Sequence, residues 1–531
     1  MKIKSIIFVA GSFLAAMSIT GCQKGDLVSN PNAATESTVV PVSLILNHLT
    51  ANLIRPEEHP FGDVNKSNQF QVSNYSKYWG NNEYSWTYSG HSYEILKYAI
   101  QLETQATAQV GSTNNKYLAV AKFFRAYSAI WLAQRVGDVP MSQAGVREYS
   151  TPIFDTQKDV YKSSLALLED ANTIMTAAVT SANQNTIFDG GDIFGLTNLQ
   201  WQKLINTYKL RILISLSKRT SDADLNIGAQ FAAMLSNTTK YPIMSANSDN
   251  MVYKYNATNL YPIFQSGSNS YNNFMNVGKT VLDITTATKD PRTFLFATPA
   301  PKLISSGKNI GDFSAYVGAD TKLSLSALQT ASDGGSLSFF NGLRYFGSNT
   351  GSACEPFIFI GYPEMCFNIA EGINRGWAGS LGAGDAKSWY DKGIAASFSN
   401  FGLSVTANST VTISNLAPTS QGTVATDNDA FLAQVAYKVN APSEALTQIL
   451  TQKYVAFFMN SGWEAFYNYR RTGIPAFSQG GPGIGTSTNL IPRRWLYPLD
   501  EINNNNANYK SAIQSQFNGA DDVFSDTWLT K

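Results

Sequence analysis

Apolar residues recur at three- and four-residue steps along "YLAVAKFFRAYSAIWLAQRVGDVP", where Tyr117, Val120, Phe124, Tyr127 and Trp131 fall on one helical face. Gly137 and Pro140 predict where that helix ends. A second helix is predicted in "TQKDVYKSSLALLEDANTIM", with Thr156 as its N-cap and Tyr161, Leu165 and Leu168 on one side. A third runs through "NLQWQKLINTYKLRILISLSKR" and a fourth through about 223–235. From about 240 to 350 the pattern changes: Asn, Ser, Gly and aromatics dominate and periodicity is weak. Loops with short strands or helices are expected there, inserted into the helical scaffold. Helical signals return in "YPEMCFNIAEGINRG", "GDAKSWYDKGIAASFSNFG" and "SEALTQILTQKYVAFFMNSGWEAFYNYRRTG", and beyond 471 mostly loop is expected.

Successive antiparallel helix pairs of this length resemble tetratricopeptide-type repeats, although no clean period of about 34 residues survives. The fold class expected is therefore mainly α: a tetratricopeptide-like scaffold with a large loop-rich insertion and few short strands. Within a single domain over 41–531, helical repeats are assigned to 41–240, the loop-rich region to 241–355, and C-terminal helices and loops to 356–531.

Residues 1–21 have the character of an export signal. Lys2 and Lys4 precede an apolar stretch from Ile6 to Met17 that is too short for a stable span. The leader ends Ile19-Thr20-Gly21-Cys22, which resembles the bacterial lipobox. That resemblance implies acylation of Cys22 and cleavage just before it. Residues 22–40, polar and small, are expected to form a flexible tether between lipid and fold. An ordinary cleaved leader with a chance cysteine is the alternative.

Without Lys2 and Lys4, 37 of the 39 basic residues stand against 38 acidic ones. A nucleic-acid binder would show a basic excess, so that class is set aside. His48, His59 and His91 form no HExxH and no metal-ligand spacing, and no metal or cofactor is expected. Cys354 and Cys366 read as two buried thiols, with a disulfide as the alternative. GxSxG is absent, and no local signature favours a carboxylate pair for glycoside hydrolysis. "VGKT" at Val277–Thr280 lacks the first glycine of a P-loop, because Asn273 stands in its place. "QGGPGIGTS" at Gln479–Ser487 reads as a mobile surface loop rather than a nucleotide fingerprint.

Charged residues make up only 15% of the chain and aromatics 12%, a balance suited to neutral polar ligands. Aromatic faces stack on apolar sugar faces, while amides and hydroxyls match sugar hydroxyls. The densest such cluster is "NYSKYWGNNEYSWTYSGHSY", from which Trp79, Asn81, Tyr84, Trp86 and Tyr88 are the ligand-binding candidates. Core packing is the competing role for each ring.

Three groups of segments together resemble the SusD/RagB family of outer-membrane lipoproteins of Bacteroidota, in its SusD-like branch. The first is "AKFFRAYSAIWLAQRVGDVP", "FDTQKDVYKSSLALLEDA" and "WQKLINTYKLRILISLSKR"; the second is Asp290-Pro291-Arg292. The third is "QKYVAFFMNSGWEAFYNYRRTGIP" with "IPRRWLYPLDEINNNNANY" and a late Trp528. Phe466 departs from the Trp that the family commonly carries after Glu-Ala. The resemblance implies a nutrient-binding protein, not an enzyme, that captures an oligosaccharide or a peptide. It would deliver that ligand to a SusC-like TonB-dependent transporter, over which such proteins sit as a lid. Cell-surface exposure is implied as well, and a lipid-anchored glycoside hydrolase is the alternative from another class. Family sites draw on the N-terminal part and the loop-rich middle, adding Tyr271 and Asn272 as candidates, with Tyr261 and Phe274 beside them. Arg470 and Arg471 offer an anionic-ligand site. Their place in a signature shared across varied ligands instead favours ties to loop carbonyls and buried carboxylates.

Overall fold

A computed structural model describes residues 39–531 except 87–91, 147, 189, 264–272, 348–354, 380 and 416–418, and without the side chains of Tyr78, Trp79, Ser92 and Ala383. The leader, Cys22 and the tether up to residue 38 lie outside the described residues, as does Cys354. Val42–Lys531 form one compact unit.

The strongest periodicity becomes helix Lys116–Val136. The Asn115 side chain accepts from the backbone N–H of Tyr117 and Leu118, each at 3.1 Å, and so satisfies two free donors of the first turn. Gly137, at φ 109°, ends the helix. Burial extends well beyond the predicted face, to Ala119, Phe123 and Ile130. The reason is that the helix packs between Ser92–Val110 on one side and Gln157–Ala178 on the other. Thr156 caps the latter, accepting from Asp159 N at 3.1 Å. Thr197 and Gln200 close a reciprocal capping box at the start of Asn198–Ser215. The fourth helix begins at Ile227, later than expected, because Asn226 takes a left-handed φ of 45°. Helices Val42–Ala51 and Ser92–Val110 extend the array within the region assigned to helical repeats.

Three two-stranded antiparallel sheets occur among the described residues. Gln71–Ser73 pairs with Met275–Val277, placing Val72 opposite Asn276, and Met251–Tyr253 pairs with Phe357–Ile360. A hairpin joins Thr410–Ser414 to Ser420–Ala425. The first two pairs staple the loop-rich middle to segments far away in sequence. Helices Tyr362–Asn374, Ala383–Asn400, Pro442–Ala456 and Glu464–Thr472 follow. The last two are split where Met459, Ser461 and Gly462 all take positive φ. Beyond 471 the chain is mostly loop, as expected, but Leu499–Asn504 and Asn506–Phe517 are helical. Their Asn-rich sequence hid them, and packing against the rest of the fold outweighs that weak propensity.

The arginines of the C-terminal signature serve the scaffold. Arg470 donates to the carbonyls of Gln134, at 2.6 Å, and Arg493, at 2.9 Å. Arg471 binds the Glu371 carboxylate (2.9 Å to Oε2) and donates to Ser217 Oγ at 2.8 Å. Arg292, fully buried, is paired with Asp290 and donates to Ser397 and Gln452. Each links helices remote in sequence through charge-assisted bonds.

Cys366 is a buried free thiol on Tyr362–Asn374, and burial pushes its pKa up to about 12. With Cys22 and Cys354 changed to Ser, Cys366 is expected to resist a disulfide reagent in native buffer and to react fully in denaturant. Rapid native reaction would contradict that burial.

Candidate functional site

Gly80, at φ 66°, ends the short helix Ser76–Trp79 and turns the chain into an extended segment. That segment runs through Asn81, Asn82, Glu83, Tyr84, Ser85 and Trp86, with alternate residues facing inward. Asn82 is buried and clamps Ser73 in both directions, accepting from its N–H and donating to its carbonyl, each at 2.7 Å. Tyr84 is 1% exposed, donates to Ser67 O at 2.8 Å and accepts from Gln69 at 3.3 Å. Its backbone N–H donates to Ile484 O at 2.9 Å.

Ile484 belongs to the glycine-rich run, which is a docked buttress rather than the free loop expected. Gly483 packs so closely on residues 321–323 that a Cβ would come within 2.2 Å of the carbonyl oxygens of Thr321 and Leu323. The glycines are there for close approach.

With Asn82 and Tyr84 anchoring the segment, Asn81, Glu83 and Trp86 are left at an open cleft of about 840 Å³. Its floor carries Trp463, Trp495 and Arg135. Trp86 stacks on Trp495 with centroids 4.0 Å apart and planes 7° from parallel. Trp463 stands edge-on to Trp495 at 4.7 Å and 90°. Trp495 is fixed by its N–H, which donates to Arg135 O at 3.0 Å. Trp463 follows the left-handed pair Ser461 and Gly462, and at Gly462 a Cβ would lie 2.8 Å from the Glu58 carboxylate. Arg55 and Arg135 place their guanidinium carbons 3.5 and 3.6 Å from the ring centroid of Trp131, which does not line the cleft. Burial pushes the Glu58 carboxyl upward, and the two arginines offset part of that. At the rim, Lys66 pairs with Asp63 at 2.8 Å and donates to Asn81 O at 3.0 Å.

The structure thus brings Asn81 and Trp86 to one cleft and places Tyr84 behind it. As a ligand contact Tyr84 is corrected: its ring has no accessible face. Tyr261 is likewise buried, packed edge-on against Tyr255 at 5.2 Å. Phe274 stacks on Tyr75 at 4.7 Å. Trp79 ends the short helix, but its side chain, like Tyr88, Tyr271 and Asn272, lies outside the described residues. Trp463, Trp495 and Arg135 were not selected from sequence, although both tryptophans sit in the C-terminal signature. Tyr84→Phe is expected to cost about 1 kcal/mol of stability and to leave ligand affinity unchanged, read by chemical denaturation and titration.

A family model described as starch-binding and associating with the outer membrane matches residues 35–498. The chain belongs to the SusD-like family. A SusD homologue of Bacteroides fragilis is similar to it at 26% identity, with a TM-score of 0.77, covering 92% of this chain and 100% of its own. An outer-membrane protein of Bacteroides vulgatus linked to nutrient binding matches at 26% identity and TM-score 0.73, covering 93% and 100%. A chitin-binding SusD homologue of Flavobacterium johnsoniae shares the fold at 19% identity and TM-score 0.66, covering 92% and 97%. A sequence comparison with curated proteins finds no match. The mainly α, SusD-like fold is therefore established, and family and fold indicate outer-membrane nutrient or glycan binding. Among the described residues no helix is long and apolar enough to cross a membrane.

Proposed function

We propose that this SusD-like protein captures an oligosaccharide in the tryptophan-lined cleft and delivers it to a partner TonB-dependent transporter. The observation that carries this reading is the parallel Trp86–Trp495 pair at the edge of an open cleft. Flat rings held rigidly by packing offer apolar area to a sugar face at little entropic cost, and Asn81 at the rim supplies amide donors and acceptors. The chitin-binding relative supports the glycan class through shared fold. In this reading Cys22 carries the lipid, the protein sits at the cell surface, and the cleft binds without catalysing. A peptide ligand remains the second outcome to be tested, and hydrolysis the third.

An array of glycans and peptides probed with the protein lacking its leader tests the proposal, followed by affinity electrophoresis and product analysis. Retardation by a polysaccharide with no released sugar is the expected result. Binding of peptides alone, or turnover of the polysaccharide, would overturn it. Co-purification of a barrel transporter with the native lipoprotein tests the delivery step.

A further inference from the structure

The floor of the cleft holds more positive charge and more hydrogen-bond donors than its own residues satisfy. Arg55 and Arg135, 9% and 5% exposed, share the single carboxylate of Glu58. The approaches are loose: Glu58 Oε1 lies 3.9 Å from Arg55 Nη1 and 3.6 Å from Arg135 Nη2. That same oxygen accepts a long bond, 3.4 Å, from the Trp131 indole. Nε and Nη2 of Arg135, Nη1 of Arg55 and Nε1 of Trp463 are buried and find no acceptor among the described residues. Guanidinium and indole groups donate only, so none of these groups can satisfy another.

Ring contacts partly compensate the charge of Arg135. Its guanidinium carbon lies 3.6 Å from the Trp131 centroid, 4.6 Å from Trp495 and 5.1 Å from Trp463. An aromatic cage attracts a cation but leaves in-plane N–H groups without acceptors. Of these four residues, Arg135, Trp463 and Trp495 line the cleft.

We infer that the cleft floor is a carboxylate subsite, and that the oligosaccharide it prefers bears an acidic sugar such as a uronic or sialic acid. This rests on the glycan-capture reading above and deepens it. A ligand carboxylate would bring the second negative charge that two buried arginines lack. Its two oxygens would accept from the planar guanidinium fork of Arg135 and from the Trp463 indole once these side chains turn their buried N–H groups toward the cleft. The sugar ring would lie beside Trp86. Acidic residues at the mouth do not oppose this strongly. Asp63 is paired with Lys66, and Glu57 and Glu83 stand exposed, where water and salt screen them. A charge held at the buried floor is screened far less.

The test uses the protein without its leader, whose Val42–Lys531 form a compact unit. Calorimetric and tryptophan-fluorescence titrations compare galacturonate, mannuronate, glucuronate-bearing and sialylated oligosaccharides, each beside its methyl-esterified twin. At least one acidic member is expected to bind about 10-fold or more tightly than its twin. Arg135→Lys keeps the charge but loses the fork, and it is expected to erase most of that preference, read as the ratio of acidic-member to neutral-twin affinity within the same variant. Arg135→Met would extend the series if it folds, judged by circular dichroism.

Equal binding of both twins by the wild-type protein overturns the inference while leaving glycan capture standing, and needs no variant. An acid preference untouched by Arg135→Lys and present also in Trp86→Ala moves the subsite elsewhere and overturns it as well. Binding of peptides through their C-terminal carboxylate, with no acidic sugar bound, would overturn the sugar class. No glycan bound at all, neutral or acidic, removes the reading on which the inference rests.

Discussion

Replacing Trp86 by alanine is expected to weaken glycan binding by about 10- to 100-fold, equivalent to about 1.4–2.7 kcal/mol. The size follows from what the ring does. It is partly exposed at the cleft, yet locked from behind by Trp495 at 4.0 Å and Phe466 at 4.7 Å, so its orientation is fixed before ligand arrives. Well-packed aromatics in a binding site tend to carry a disproportionate share of binding energy. Truncation also leaves Trp495 without its stacking partner and free to move. Trp86→Phe, which retains a flat but smaller face, should lose less. Titration calorimetry reads both, and far-ultraviolet circular dichroism should show an unchanged helical scaffold. Affinity that survives Trp86→Ala would place the ligand outside this cleft.

The largest stability effect is expected from Glu371→Gln. Glu371 is fully buried on helix Tyr362–Asn374 and binds Arg471 (2.9 Å to Nη2) and Arg375 (2.9 Å to Nε). Burial alone would raise its pKa, but ion pairing with Arg471 and then Arg375 outweighs burial and holds it at about 2, against an ordinary 4.5. A carboxylate whose folded-state pKa is depressed contributes stability above its unfolded pKa and loses that contribution as pH falls through the folded value. The variant should therefore be less stable than wild type by about 3 kcal/mol near neutral pH. The gap should narrow as pH drops from 4.5 toward 2. Urea midpoints at a series of pH values measure it. A gap constant with pH would mean that packing, not charge, makes the contribution.

Both expectations depend on residues that the sequence announced unequally. Trp86 stood within a conspicuous aromatic run, and its polar company pointed to a surface role. Tyr84, two residues earlier, had the same company and is core. Both stand on the inward parity of the extended segment, so alternation does not separate them. What decides it is the dock with Ile484, a residue about four hundred positions away in sequence. Trp463 and Trp495 were visible only as members of a recurring signature. Their meeting depends on the chain reversal at Ser461 and Gly462 and on a backbone bond to Arg135. Arg135 itself is, locally, a last-turn cation of helix Lys116–Val136. Nothing local marks it as lacking acceptors, because a deficit of partners is a property of the surroundings.

The helices, their caps and their ends were largely determined by the sequence. Thr156 and Gly137 act through backbone groups a few residues away, and periodic burial leaves a local trace. The family, too, was written in the order and chemistry of segments spread along the chain. The hidden terminal helices, the docking of the glycine-rich run and the cleft were decided by tertiary structure alone. Each depends on contacts between residues distant in sequence, whose free energy exceeds local propensity and leaves no periodic mark. A buried arginine becomes a candidate for binding only when three-dimensional packing has fixed how many acceptors it is left without.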